Sequence, residues 1–130
     1  MNPAVVAPLK RRRLRPMAEC VERGDLTHWF PSHVLFHEEI MRAAGNRHLA
    51  RLSAVVRLSI RQFHPVLLQT EPRLADANHE HRQIYEAIAA RDPEMAERAA
   101  RAHIAAAREI VLELAAGRRV SGGYGGAVQA

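Results

Sequence analysis

An all-α fold, an antiparallel helical bundle of about four to five helices, is what this 130-residue sequence predicts. Three observations predict it. Apolar residues recur at helical spacing, as in Leu49, Leu52, Val56, Ile60 and Phe63 and again in Ala99, Ala106, Ile110 and Leu114. No segment alternates apolar and polar residues as a half-buried strand would. Breakers such as Gly24-Asp25, Gly45-Asn46 and Asp92-Pro93 punctuate the periodic stretches, so short turns join consecutive helices side by side. A chain of this length with 48% hydrophobic residues suits one domain with a single core.

The elements follow in order. Residues 1–16 read as an irregular basic segment broken by Pro3, Pro8 and Pro16, and 17–23 as a short helix stopped by Gly24. Ser32 is a suitable N-cap after Pro31, and the helix it opens runs to Ala44 before a Gly-Asn stop. A second long helix spans about 47–63 and is closed or kinked by Pro65. "QTEPRLAD" reads as a turn, with a third helix over about 77–91. Asp92 caps a fourth helix, with Pro93 at its first position, that extends to about Ala116. The helical domain therefore occupies 17–116, and the Gly-rich stretch 117–130 reads as a flexible tail.

Composition excludes several classes. A lone cysteine, Cys20, rules out an internal disulfide framework and suits a reducing cytoplasm. No apolar run nears the ~20 residues of a membrane span, and the first residues do not form a secretory signal. The net charge of +5 is uneven, with Lys10, Arg11, Arg12, Arg13 and Arg15 clustered near the start. Such a cluster either binds phosphates weakly and without reading sequence, or is simply a solvated terminal segment.

Four histidines carry the chemistry. In "HVLFHEEI" His33 and His37 lie four positions apart, so on a helix they share one face with Phe36, Ile40 and Met41. Taken alone, the pair is either a polar pair satisfied by its neighbours or half of a metal site. His81 stands on the stripe of Ile84, Tyr85 and Ile88, and His103 on that of Ala99, Ala106, Ile110 and Leu114. Three helices thus send imidazole into one core. Desolvating unpartnered imidazoles costs about 1–3 kcal/mol each. A divalent transition ion would satisfy all four, and neutral imidazole suits Zn, Ni, Cu or Fe(II). His79 falls on the opposite side of its helix, and His28, His48 and His64 read as surface residues.

The stretches "FHEEIMRAAGNRHLARL" and "EHRQIYEAIAARDPEMAERAARAHI", with the spacing from His81 to His103, resemble the C-terminal effector-binding (FCD-type) domain of FadR-subfamily regulators in the GntR transcription-factor family. The resemblance covers about residues 17–116. It implies a helical domain that senses a small carboxylate or sugar acid beside a divalent metal, Zn or Ni first, with Fe or Mn also compatible. It also implies a homodimer in the cytoplasm that acts on DNA through a separate winged helix. Carried across, the metal ligands are His33, His37, His81 and His103. His33 departs from the family pattern, which has aspartate there, so the site is one negative charge short. Arg57 and Arg61, one turn apart, are candidates to hold an effector carboxylate, or are plain surface arginines.

Only about sixteen residues precede the matching stretch. The expectation is a truncated member without the winged helix or the domain's first helix, in which Leu14, Met17, Val21 and Leu26 cover only part of the gap. Such a chain would not read an operator by itself. Two other classes stay open. One is a histidine-metal helical-bundle enzyme or carrier resembling hemerythrin, which needs a general base that no inward-facing Glu or Asp provides. The other is a non-functional remnant that only dimerises.

Overall fold

The computed structural model describes the backbone of residues 3–67 and 71–117, with side chains over 6–55, 57–58 and 73–117. Every element in it is helical: α1 (Pro3–Leu9), a π-helical turn (Lys10–Leu14), α2 (Arg15–Glu22), α3 (Leu26–Ala43), α4 (Arg47–Leu67), α5 (Glu71–Ala89) and α6 (Pro93–Ala115). The expected tail from 118 onward lies outside the described residues. No helix among the described residues is long and apolar enough to cross a membrane.

The largest correction is at the start. Residues expected to be irregular form one nearly continuous rod, because backbone angles stay helical through Leu9, Leu14 and Arg15. Pro16 cannot donate, and its ring would press on the carbonyl four residues back. The wider π turn that just precedes it accommodates this, with the Arg15 N–H reaching the Lys10 carbonyl. This rod buries Val6, Leu9, Met17 and Cys20, while Leu14, Val21 and Leu26 pack at the margin. The cover is therefore more extensive than the four residues expected, and it closes the core with Trp29, Phe36, Leu74, Ala77 and Ile84.

Two turns show why the helices pair antiparallel. At the end of α2 the Gly24 N–H donates to the Val21 carbonyl at 3.1 Å and the Asp25 N–H to that of Cys20 at 2.8 Å. Gly24 sits at φ 66°, the left-handed position of a Schellman cap. Asp25 then caps α3, its carboxylate accepting from the His28 N–H at 3.2 Å. The α5–α6 connection repeats the device: Arg91 N–H to Ile88 carbonyl and Asp92 N–H to Ala87 carbonyl, both 3.0 Å, with Asp92 accepting from the Met95 N–H at 2.9 Å. One aspartate finishes one helix and starts the next, so the chain reverses within three residues.

Three boundaries differ from expectation. Helix α3 begins at Leu26, not at Ser32, and carries Pro31 inside it. The extra turn loses one backbone bond but buries Trp29, which outweighs it. Helix α5 begins at Glu71, not near 77, since Pro72 falls in the first turn where its missing N–H has no intrahelical partner to lose. Helix α4 runs through Pro65 to Leu67. Its Leu49 and Leu52, expected to face inward, are exposed together with Val55 and Leu58. Val56, Ile60 and Phe63 have side chains outside the described residues.

Candidate metal centre

Helix α3 offers His33 and His37 from consecutive turns, and α5 brings His81 across from the opposite wall. His33 Nδ1 and His37 Nε2 each stand 3.2 Å from His81 Nε2, and the three nitrogens all lie within 4.8 Å of one another. Nitrogens bound at 2.0–2.1 Å to one ion stand about 2.9 Å apart when cis in an octahedron and about 3.4 Å apart on a tetrahedral edge. The two 3.2 Å separations from His81 fall between these values. His81 is fully buried and its Nδ1 has no hydrogen-bond partner. Its Nε2 is where the other two nitrogens converge. These three nitrogens could hold one cation.

His103, on α6, packs beside this trio with its ring 4.5 Å from that of His81 and stacked at 5.2 Å on that of His37. The close three-nitrogen group consists of His33, His37 and His81, so the fourth expected ligand is adjacent to it. His103 Nδ1 lies 2.6 Å from Glu80 Oε2. Glu80 in turn receives both terminal nitrogens of Arg73, at 2.6 and 2.9 Å. Burial alone would raise the Glu80 carboxyl, but hydrogen bonds from His103 and Arg73 outweigh it and hold the group below its ordinary value.

Sequence reading missed this inward carboxylate, having found none. The signal was present: Arg73 and Glu80 are seven residues apart, hence on one face of α5, and Glu80 directly precedes a buried histidine. Trp29 was missed as well. Its indole stacks on His33 at 4.8 Å and 14°, while its N–H donates to Asn78 Oδ1 at 2.9 Å, and Asn78 donates to the Met17 carbonyl at 3.1 Å. The His33 ring is thus fixed from behind by an aromatic plane.

The apolar wall sets protonation. Desolvation, and then the charge of His103, push the His37 imidazole down to about 3. His81 is pushed well below its ordinary value, by desolvation first and then by neighbouring His103, His33, His37 and Arg73. Both rings are neutral near pH 7, the form that binds metal.

The other expected residues are placed as follows. Arg57 is half-buried and ion-paired with Glu38. The Arg61 side chain lies outside the described residues. Lys10, Arg11 and Arg12 are exposed, whereas Arg13 pairs with Glu39 at 2.7 Å. His28, His48 and His79 are exposed, and His64 is outside the described side chains.

Comparison with known proteins places these features. The sequence profile of the FCD domain matches residues 2–106. A relative from Paenarthrobacter nicotinovorans, named "Probable D-xylose utilization operon transcriptional repressor", is 33% identical over 120 residues, which is 92% of this chain. The chain spans about half the length of that relative. No solved structure matches. The chain belongs to the FCD domain family, the all-helical domain of GntR-type transcriptional regulators.

Proposed function

We propose that this chain is the metal-dependent effector-sensing and pairing domain of a cytoplasmic GntR/FadR-type regulator, and not an enzyme. The observation that carries this reading is the convergence of three imidazole nitrogens, two of them 3.2 Å from His81 Nε2, with a fourth histidine held beside them. His33, His37, His81 and His103 would hold the ion. The all-imidazole set suits Zn or Ni, with Fe or Mn also compatible. A bound ion supplies a Lewis-acidic positive charge to which an anionic effector can attach.

A small carboxylate or sugar acid is the effector class that fits. With histidine at position 33 the ligand set carries no negative charge of its own, so an anion on the metal is favoured. The relative's name, tied to D-xylose utilisation, points to sugar-derived molecules. Arg57 would assist by sharing or exchanging Glu38 for the effector, with Arg61 one turn further along α4. The exposed Leu49, Leu52, Val55 and Leu58 give α4 an apolar surface of the kind a second copy covers, so the domain forms a homodimer. Operator reading belongs to a winged helix carried outside these helices. Lys10, Arg11 and Arg12 add at most weak, salt-sensitive contacts.

A histidine-metal bundle enzyme or carrier is the second reading. The inward carboxylate it requires exists in Glu80, but both its oxygens are already engaged by Arg73 and His103. No acid or base is left poised there among the described residues.

Metal titration tests the proposal. Untagged protein should bind about one Zn²⁺ or Ni²⁺ per chain, and Ni²⁺ should quench Trp29, the single tryptophan, which stacks on His33. Protein that takes up no metal, and whose melting temperature ignores added Zn²⁺, overturns it.

A further inference from the structure

Outside the three-nitrogen group, the most heavily engaged polar cluster in the core is the line Arg73–Glu80–His103. Arg73 and His103 are buried residues, and the Glu80 side chain retains only 15% of its exposure. The bonds have a direction. Arg73 grips Glu80 with two nitrogens, one on each oxygen, so the carboxylate cannot rotate. Its Oε2 then faces His103 Nδ1 at 2.6 Å.

A carboxylate gripped on both oxygens by a guanidinium is an acceptor, so in the 2.6 Å contact it is the Nδ1–H of His103 that donates to Glu80 Oε2. Its Nε2 is left bare, and the ring lies edge-on to His81 and flat against His37. Metal-binding imidazoles are commonly held in this way, the distal N–H engaged by a carboxylate that fixes tautomer and ring plane and raises donor strength. His81, by contrast, has no partner on its distal nitrogen.

We infer that Glu80, clamped by Arg73, is the positioning residue of the metal centre: it fixes the His103 ring and turns its Nε2 toward the ion. This rests on the metal reading above. It assigns to Glu80 and Arg73 a role in metal affinity, and it explains why Glu80 faces His103 while its neighbour His81 faces the ion: adjacent helix positions point about 100° apart. The rival explanation is a buckle that merely ties α5 to α6.

Zn²⁺ affinity measured by competition with a chromophoric chelator separates the two. Wild-type chain, Glu80→Gln, His103→Ala and the double variant are compared, each with its metal-free melting temperature. Glu80→Gln should weaken Zn²⁺ binding roughly 10- to 100-fold, the usual effect of losing such an outer partner. Once His103 is already alanine, the same change should have almost no further effect. Equal affinity of Glu80→Gln and wild type, or an equal loss in both backgrounds, overturns the inference while leaving the metal reading intact. Failure of the wild type itself to bind Zn²⁺ removes both. Should Glu80→Gln not fold, imidazole ¹⁵N NMR of the wild type decides. The His103 proton on Nδ1, with Nε2 shifting when Zn²⁺ is added, supports the inference, and a proton on Nε2 in the metal-free protein contradicts it.

Discussion

His81 concentrates the chemistry at the scale of single residues. It is fully buried, lacks a partner at Nδ1 and has two imidazole nitrogens 3.2 Å from Nε2. His37→Ala and His81→Ala should therefore each abolish tight metal binding in a calorimetric titration, whereas exposed His79→Ala should leave it unchanged. Protonation gives a second prediction. Between the ordinary imidazole value of 6.5 and the value of about 3 for His37, the unfolded chain takes up protons that the folded chain refuses. Metal-free protein should thus hold full stability above about pH 6.5 and lose it steadily as pH falls toward 3, a trend read from urea midpoints. A midpoint independent of pH over that range would show these rings already charged in the folded state. The imidazoles were legible in the sequence because periodicity alone puts them on apolar faces. Glu80 and Arg73 were not, since charged residues beside a core histidine look like a solvated helix edge until a partner from α6 is in view.

Caps and packing faces decide the matter at the scale of elements. Asp92 and Pro93 were readable because their roles are local: one side chain, one missing N–H. The α3 start was not, because burying Trp29 overrides the signal of Pro31, and only the assembled core shows it. The rod from Pro3 to Glu22 was hidden for the same reason, its three prolines masking a stripe that buries Val6, Leu9, Met17 and Cys20. Leu9→Ala should consequently cost about 2–5 kcal/mol in chemical denaturation, as for any large core side chain. A change below half a kcal/mol would mean that the rod does not complete the fold. Arg91 offers the opposite case. It occupies φ 57° at the Schellman position that glycine fills after α2. Arg91→Gly should raise stability by up to about 1 kcal/mol, because a side chain is strained in the left-handed region.

On the proposed function, the whole molecule couples its core to two outside partners, an ion and a second copy. Leu52 and Leu58 are exposed at 60% and 65%, so Leu52→Glu should shift light scattering toward the monomer without weakening Zn²⁺ binding. A bound ion would act on the fold as a whole, because the close histidines come from α3 and α5, which unfolding separates. An ion present at about a thousandfold over its dissociation constant adds about 4 kcal/mol of stability. Thermal melting of the untagged full chain, run with Zn²⁺ and again with a chelator, bears most directly on the metal centre. A clearly higher melting temperature with Zn²⁺, erased in His81→Ala, is the expected result. Identical melting curves with Zn²⁺ and with chelator would mean that the four histidines are packing residues and that no ion belongs in this core.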